Sequence, residues 1–279
     1  MKKLPVLSSV SLPVPGFVLG VVMLGIVAMP AHAADKVETG QKSTATLQVG
    51  MHYVVPPFVA GTKVRTPEAI DTALAEALAK ELNLSLQAVP EHAGSKEKLL
   101  QNDQPRVLLV SASEASAKPD STTDMPTGYM LAPMAIMRTD TDIKSWQQLK
   151  DRKVCVAEGG RYAGMLSARY GAQEMVYRAP ADALLALRTG ECDAAVHDET
   201  MLKALLKLPE WKKFSAQLTE KTRHELVFRV ASDDAEVLTT LKRLTKQWKS
   251  DGHLAALNKT RTNDIAFEVY LDQTVPDCH

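Results

Sequence analysis

Two short polar segments that follow predicted strands carry residue types able to hold a small charged molecule. Residues 158–161 (Glu-Gly-Gly-Arg) come after one apolar run, and residues 197–198 (His-Asp) come after another. Glycines let the backbone approach a carboxylate or phosphate closely, and the N-terminus of a following helix presents unpaired N–H groups to an anion. The carboxylate of Asp198 can in turn bind a cation. The two segments therefore predict a site for a small polar solute, zwitterionic or anionic.

Two further segments, in the first half of the chain, are expected on the other side of the same site. Residues 53–58 and 111–113 follow predicted strands at 47–51 and 107–110. Ligands of open parallel sheets bind beyond the carboxyl ends of the strands, where such segments meet. The predicted ligand-binding residues are Tyr53, Phe58, Ser111, Ser113, Gly159, Gly160, Arg161, Tyr162, His197 and Asp198.

Each of these residues also has a structural interpretation that the sequence leaves open. Asp198 can cap the N-terminus of a helix, and His197 can pack in the core. The two glycines can form a tight turn, and the aromatic residues of the first half can belong to the core. Arg161 and Tyr162 can simply face water.

The composition describes a globular protein and gives no sign of nucleic-acid binding or structural zinc. Of 279 residues, 45% are hydrophobic and 24% are charged, and 33 Lys and Arg balance 33 Asp and Glu. A disordered chain would have fewer apolar residues or a charge imbalance, and a nucleic-acid binder would have a basic excess. The three cysteines lack the spacing of zinc ligands, and the methionines at 125–137 are predicted to pack in the core and hinge. We therefore expect no cofactor and no metal.

The first 33 residues have the features of a cleaved secretory signal. Lys2 and Lys3 precede an apolar stretch at 16–29, and the tripeptide Ala-His-Ala ending at Ala33 predicts cleavage near that residue. The apolar stretch is shorter than the roughly 20 residues that span a bilayer. Cleavage removes two lysines and no acidic residue, so the expected periplasmic product has 246 residues and a net charge of −2.

Export places the cysteines in an oxidising compartment, where a disulfide is favoured. Cys155 lies in one predicted central strand, and Cys192 lies at the start of a predicted neighbouring strand. The sequence therefore predicts a bond between them. Cys278 is then left over, or pairs with one of the two.

The mature chain contains two successive alternations of strands and helices, which predict an α/β fold of two lobes. Each lobe is expected to be a parallel sheet built from βαβ units, with two extended crossings between the lobes. The predicted strands lie at 47–51, 84–88, 107–110, 154–157, 175–177 and 193–196, and the predicted helices at 70–82, 95–101, 162–170, 181–188 and 199–208. Thr66 is expected to cap the first helix, with Pro67 at its first position.

The last part of the chain is predicted to return to the first lobe. Residues 237–248 have the apolar face of a long helix. After Asn258, alternating apolar residues at 265, 267, 269 and 271 predict an extra strand against one lobe. The predicted domains are a signal peptide at 1–33, the first part of lobe 1 at 34–131, lobe 2 at 132–226, and a return to lobe 1 with a C-terminal extension at 227–279.

The sequence resembles the family 3 extracellular solute-binding proteins of ABC importers, the polar amino acid type. The matching segments follow the order of the family from residue 46 to residue 258, and they include 70–71, 124–129, 190–198 and 251–252. The resemblance implies a two-lobed periplasmic binding protein fold of type II, with the ligand clamped between the lobes. It also implies that Phe58 stacks on the ligand, that Asp198 binds its ammonium group, and that the glycine pair supports its carboxylate.

Two features of that family are missing from this chain. The arginine that pairs with the ligand carboxylate would fall near Lys118-Pro119, and the aromatic residue that precedes Asp71 is replaced by Ile70. Arg161 could supply the anion contact from the second lobe instead. A standard α-amino acid is therefore disfavoured, and the expected ligand is a small polar solute that is amino-acid-like or anionic.

The predicted function is the capture of a small polar solute for an ABC importer, by a monomer that is not an enzyme and has a membrane permease as partner. An accessory or sensory periplasmic protein that keeps the fold without transport is the first alternative, favoured by the missing arginine. The second is a lyase resembling cyclohexadienyl dehydratase, which would need an acid in the cleft, such as Glu158 or Glu114.

Overall fold

Two five-stranded sheets carry the fold. The computed structural model describes residues 45–91, 105–113 and 121–274. The strands are β1 (Thr46–Met51), β2 (Ser85–Pro90), β3 (Val107–Ser111), β4 (Thr122–Leu131), β5 (Pro133–Met137), β6 (Lys153–Ala157), β7 (Gln173–Tyr177), β8 (Ala194–Asp198), β9 (Ala216–Thr219) and β10 (His224–Ala231). The helices are α1 (Asp71–Glu81), α2 (Met165–Tyr170), α3 (Pro180–Thr189), α4 (Glu199–Leu205), α5 (Ala235–Asp251) and α6 (His253–Asp272). The predictions for residues 1–33, 95–101, Glu114, Lys118-Pro119 and Cys278 lie outside the described residues.

The first sheet has a parallel core to which the return strand adds antiparallel pairing. Its order is β2-β1-β3-β10-β4, with β1 parallel to β2 and β3, and β10 antiparallel to β3 and β4. Helices α1 and α5 pack against one face through buried apolar residues such as Leu74, Leu78, Leu241 and Trp248. We call this sheet with α1 and α5 the first lobe.

The second sheet is built in the same way and is covered on both faces. Its order is β7-β6-β8-β5-β9, with β6 parallel to β7 and β8, and β5 antiparallel to β8 and β9. Helices α3 and α4 bury Leu187 and Leu205 on one face, while Trp146 and Leu166 are buried on the other. We call this sheet with α2, α3 and α4 the second lobe.

Two short connections join the lobes and position their strand ends opposite one another. Strand β4 continues into β5 through Ala132, and β9 leads to β10 through residues 220–223. The predicted α/β fold of two lobes with two crossings is confirmed. Because the crossing strands pair antiparallel, each sheet is mixed, and only three strands of each are parallel.

The predicted disulfide is present in the second lobe. Cys155 in β6 is bonded to Cys192, which immediately precedes the neighbouring strand β8, with Cα atoms 5.8 Å apart. Both residues are buried. The bond therefore ties together two adjacent central strands.

The predicted C-terminal strand is wrong, because residues 253–272 form the helix α6. Residues at helical spacing are buried along it, namely Asn258, Arg261, Thr262, Ile265, Ala266 and Val269. Phe267 and Leu271, which the alternating pattern grouped with the inward-facing residues, are 59% and 61% exposed. Burial at intervals of three and four residues, against α3 and α4, outweighs the local alternation.

Helix α6 contacts both lobes. Its apolar residues Ile265 and Val269 join the core of the second lobe. Its polar residues reach the segment of the first lobe that precedes α1. Arg261 donates to the backbone oxygens of Pro67 and Glu68, Glu268 accepts from the N–H and hydroxyl of Thr66, and Asp272 pairs with Lys63 and Arg65.

Thr66 therefore does not cap α1 as predicted. The helix begins at Asp71, and its N-cap residue is Ile70. Both the backbone N–H and the hydroxyl of Thr66 are directed to Glu268 instead. A contact with a residue distant in sequence replaces the local capping interaction. The segment between Thr66 and Asp71 places Glu68 at the boundary between the lobes.

The described part of the chain holds neither a membrane-crossing helix nor a cluster of metal-ligating side chains. No helix in it is both long and apolar enough to cross a bilayer. No three His, Cys, Asp or Glu side chains in it are placed to hold a metal ion together.

Met134 and Met137 are fully buried in the second lobe.

Candidate functional site

The carboxylate of Asp198 lies at the end of β8, and both of its oxygens accept hydrogen bonds from tyrosines. Tyr162 of the second lobe donates to Oδ1 at 2.5 Å, and Tyr129 of β4 in the first lobe donates to Oδ2 at 3.1 Å. Burial, and then the charge of Asp198, raise the pKa of both tyrosines, so both hydroxyls stay protonated as donors. The Asp198 side chain makes no capping bond to α4. It binds two hydroxyls of the chain itself.

A buried ion pair joins the lobes beside Asp198. Arg161, in the loop after β6, donates to Oδ2 of Asp71, the first residue of α1, at 2.6 Å. The Asp71 side chain is 1% exposed and that of Arg161 is 12% exposed. Burial raises the pKa of Asp71, and the guanidinium of Arg161 opposes this shift. The arginine that the sequence assigned to a ligand anion is thus already paired with a carboxylate of the first lobe.

His197 forms a second polar link between the lobes. Its Nδ1 accepts the backbone N–H of Asp198 at 2.6 Å, which places the proton of the neutral ring on Nε2. Nε2 lies 3.1 Å from Oε2 of Glu68 and 3.2 Å from its backbone oxygen, so it donates to Glu68. Both side chains are buried. His197 is therefore a buried donor to the first lobe.

The two glycines of the predicted anion site allow close approach of first-lobe side chains. A Cβ at Gly160 would lie 2.5 Å from Oε1 of Glu68 and 3.0 Å from the backbone oxygen of Ala157. Gly159 has φ +69°, and a Cβ there would lie 3.0 Å from the ring of Tyr53. The carboxylate that approaches this glycine-rich turn is therefore that of Glu68.

A cavity of about 140 Å³ remains where the strand ends of the two lobes meet. It is lined by His52, Ser111, Leu131, Ala132, Pro133, Arg161, Tyr162 and His224. The ionisable groups in this lining are basic or phenolic, and no carboxylate of the described residues belongs to it. Ser111 donates to or accepts from Ser113 at 2.8 Å, so that Ser113 orients a hydroxyl of the lining.

Phe58 and Tyr53 lie at a separate cavity of about 340 Å³, at the outer edge of the boundary between the lobes. Phe58 is 68% exposed, which excludes the core position that the sequence left open. Arg178 of the second lobe lines the same cavity and donates to Thr62 at 3.1 Å. Burial raises the pKa of Tyr53, whose ring packs on Gly159.

The structure brings eight of the ten predicted residues to the polar boundary between the lobes. Phe58 and Tyr53 line the separate 340 Å³ cavity, and the ring of Tyr53 also packs on Gly159. The partners of the eight were not assigned from sequence, namely Glu68, Asp71, Tyr129, His52 and His224. His52 immediately follows β1, so the rule that placed Tyr53 at a strand end also points to it. Asp71 and Tyr129 lie in segments that match the family named above, but no role was assigned to either residue from the sequence.

Comparison with known proteins supports the fold. No family model matches the chain, and no curated protein does. Among solved structures, an ancestral cationic amino acid solute-binding protein matches with a TM-score of 0.52 and 23% identity, over 78% of this chain and 96% of that one. AbpA, an amino acid ABC transporter substrate-binding protein from Streptococcus pneumoniae bound to L-arginine, matches with a TM-score of 0.50 and 16% identity, over 79% and 96%.

An ancestral amino acid-binding protein described as a precursor of cyclohexadienyl dehydratase matches with a TM-score of 0.49 and 24% identity, over 78% of this chain and 96% of that one. The structural neighbours are thus amino acid solute-binding proteins. The chain has their two-lobed periplasmic binding protein fold.

Proposed function

We propose that the protein is a periplasmic solute-binding protein that captures a small carboxylate between its lobes and delivers it to the permease of an ABC importer. The observation that carries this proposal is the lining of the 140 Å³ cavity, where Arg161, His52 and His224 are the basic groups. Hydroxyls of Ser111 and Tyr162 lie beside them. Basic side chains around a small cavity favour an anion.

The same lining argues against an α-amino acid as ligand. The carboxylate of Asp198, where the family places the ammonium group, is occupied by the hydroxyls of Tyr129 and Tyr162. Asp198 is buried and does not line the cavity, so an ammonium group in the cavity would not meet its carboxylate. A water occupies roughly 30 Å³ in the liquid, so the cavity has the volume of about four to five waters. This suits an acid of two to four carbons.

A calorimetric panel tests the proposal. Glycolate, lactate, malonate and succinate are titrated into the mature protein, with glycine, glutamine and arginine as the zwitterionic set. We expect binding of at least one acid and of none of the zwitterions. A bound acid at 100 times its Kd stabilises the protein by about 2.7 kcal/mol, which a thermal-shift measurement detects.

The role of Arg161 is tested by the double variant Asp71→Asn with Arg161→Gln. It removes both charges of the ion pair together and keeps a hydrogen-bonded pair in their place. We expect at least a tenfold loss of affinity, because a hydrogen bond to a charged group contributes about 1.5–3 kcal/mol. Arg169→Gln, on the exposed surface of α2, is the control and should bind as the wild type does. Equal affinity in the double variant and the control would contradict the role of Arg161.

An accessory or sensory protein without transport is a second candidate, favoured by helix α6. This helix is held in the core of the second lobe and hydrogen-bonded to the first, so it opposes the hinge motion on which capture depends. Small-angle X-ray scattering before and after addition of a bound acid separates the candidates. A decrease in radius of gyration supports capture and delivery, and an unchanged profile supports the accessory protein.

The lyase alternative has no acid in this cavity among the described residues. Glu158 is exposed and does not line it. We therefore do not propose an enzyme.

A further inference from the structure

A groove runs along α6 on the side that faces α4 and the end of β4. It has a volume of about 860 Å³ and shares no lining residue with the 140 Å³ solute cavity. Its floor includes Asn258 and Thr262 of α6 and Tyr129 of β4. We call it the α4–α6 groove. Two of its lining residues also belong to the boundary between the lobes, since Tyr129 binds Asp198 and Arg223 lies in the second crossing.

The lining of the groove is basic, although the chain as a whole is neutral. Four basic residues, Lys203, Lys207, Arg223 and Lys259, lie there with a single acidic residue, Glu199. Glu199 is paired with Lys203 at 2.6 Å and with Arg223 at 2.7 Å. Among the described residues, Lys207 and Lys259 face no carboxylate within ion-pair distance, and both are exposed. The groove therefore offers positive charge to an occupant.

A buried amide in the floor lacks part of its hydrogen bonding. Asn258 is 7% exposed, and its Nδ2 donates to the backbone oxygen of Thr200 at 3.2 Å. Its Oδ1 is buried and has no partner among the described residues. A buried acceptor without a donor costs free energy, so an N–H group that reaches this oxygen would be stabilised there.

The groove continues into an apolar end. A second cavity of about 430 Å³ shares Leu208 and Asn263 with it and is also lined by Ala266, Phe267 and Tyr270, with Glu210 as its one acidic residue. Phe267 is 59% exposed and Tyr270 is 74% exposed. They stand three residues apart on one face of α6, where large apolar side chains are exposed side by side. Exposed apolar surface of this kind marks an interaction site.

We infer that the α4–α6 groove with its apolar end binds an acidic, amphipathic segment of a partner protein. The acidic side chains meet Lys207 and Lys259, an N–H group meets Asn258, and the apolar side chains pack on Phe267 and Tyr270. Together the two cavities exceed about 1,000 Å³, the upper end of the range for small-molecule sites. A helix laid into a groove along another helix has these dimensions and this mix of contacts.

The test is fluorescence anisotropy with a labelled 18-residue peptide of Leu and Glu, its leucines at helical spacing. A peptide with Lys in place of Glu is the charge control. We expect the Leu/Glu peptide to bind and the Leu/Lys peptide not to bind, with weaker binding as salt is raised. Lys207→Glu with Lys259→Glu should weaken binding at least tenfold. Phe267→Ala with Tyr270→Ala should weaken it at least fivefold.

The matched control is Lys242→Glu with Lys246→Glu, which makes the same charge change on exposed positions of α5. It should leave binding within twofold of the wild type. All the substituted side chains are exposed, and circular dichroism verifies folding. Absence of Leu/Glu binding, or an equal loss in the α5 control, overturns the proposal. Binding of phosphatidylglycerol vesicles that depends on Lys207 and Lys259, without peptide binding, assigns the groove to a membrane surface and also overturns it.

Discussion

At the scale of single residues, the contact of Gly160 with Glu68 explains why the turn after β6 contains a glycine. Oε1 of Glu68, in the first lobe, lies 2.5 Å from the position that a Cβ at Gly160 would occupy. The absence of a Cβ at Gly160 permits this close approach.

Gly160→Ala is therefore expected to destabilise the protein by about 1–3 kcal/mol, the usual cost of overpacking a buried site. The cost should shrink when Glu68→Ala is added, because two of the three close contacts of the new Cβ are to Glu68. Urea denaturation of the wild type, both single variants and the double variant measures this. An equal cost of Gly160→Ala in both backgrounds would contradict the assigned contact.

The buried Asp71 makes a prediction about pH. Burial raises its pKa in the folded state above the usual value of an aspartate, so over the pH range between the two values the folded protein keeps a proton that the unfolded chain has released. Stability should then fall as pH rises above about 4, by at most about 1.4 kcal/mol per pH unit for one group. Asp71→Asn removes this dependence. Its free energy of unfolding relative to the wild type should rise from pH 4 to pH 7 in urea titrations.

Asp140→Asn is the control for this measurement. The hydrogen bond from Arg138 lowers the pKa of Asp140, so its contribution is present above the unfolded pKa and is lost as pH falls. Relative to the wild type, the free energy of unfolding of Asp140→Asn should fall as pH rises. This change has the opposite sign to the one expected for Asp71→Asn. A difference between Asp71→Asn and wild type that does not change with pH would refute the raised pKa.

The sequence predicted most of the residues that meet at the boundary between the lobes but none of their pairings. Strand ends are readable from apolar runs, and parallel strands bring their carboxyl ends to one edge, which places Arg161, His197 and Asp198 together. Which first-lobe groups face them depends on how the lobes are docked. The pairs of Asp71 with Arg161 and of Glu68 with His197 span 90 and 129 residues, and no local pattern encodes such distances.

At the scale of elements, the disulfide between β6 and the start of β8 closes a loop whose ends are 37 residues apart. In the chain-entropy model, a disulfide that closes a loop of that length stabilises the folded state relative to the unfolded chain by about 4 kcal/mol. Cys155→Ala with Cys192→Ala should lower the free energy of unfolding by about 2–4 kcal/mol in guanidinium titrations. A double variant as stable as wild type would show that the bond does not brace the lobe.

Helix α6 shows where sequence patterns are ambiguous at the scale of elements. Residues 265–271 alternate in polarity as a strand does, yet the buried face includes Arg261 and Thr262, which no apolar period marks. The preceding helix α5 was readable because its buried residues are all large and apolar, namely Val237, Leu241, Leu244 and Trp248. When a helix buries polar residues, its helical period does not show in the hydropathy pattern of the sequence.

At the scale of the whole molecule, the contacts of α6 with the first lobe are expected to hold the lobes together. Glu268→Ala with Asp272→Asn removes the bonds to Thr66, Lys63 and Arg65. The variant should have a larger radius of gyration than the wild type in small-angle X-ray scattering, because more molecules are open. Glu236→Ala on α5 is the control. Equal profiles for the double variant and the wild type would show that α6 does not restrain the hinge.

The ion pair of Asp71 with Arg161 and the bond of His197 to Glu68 both cross from one lobe to the other, and the side chains of Asp71, His197 and Glu68 are buried. Separating the lobes would break both contacts and expose these groups to water. Hydration of the separated charges returns part of the cost of breaking such contacts. A polar boundary of this kind therefore favours a reversible separation of the lobes more than an apolar boundary of the same size would.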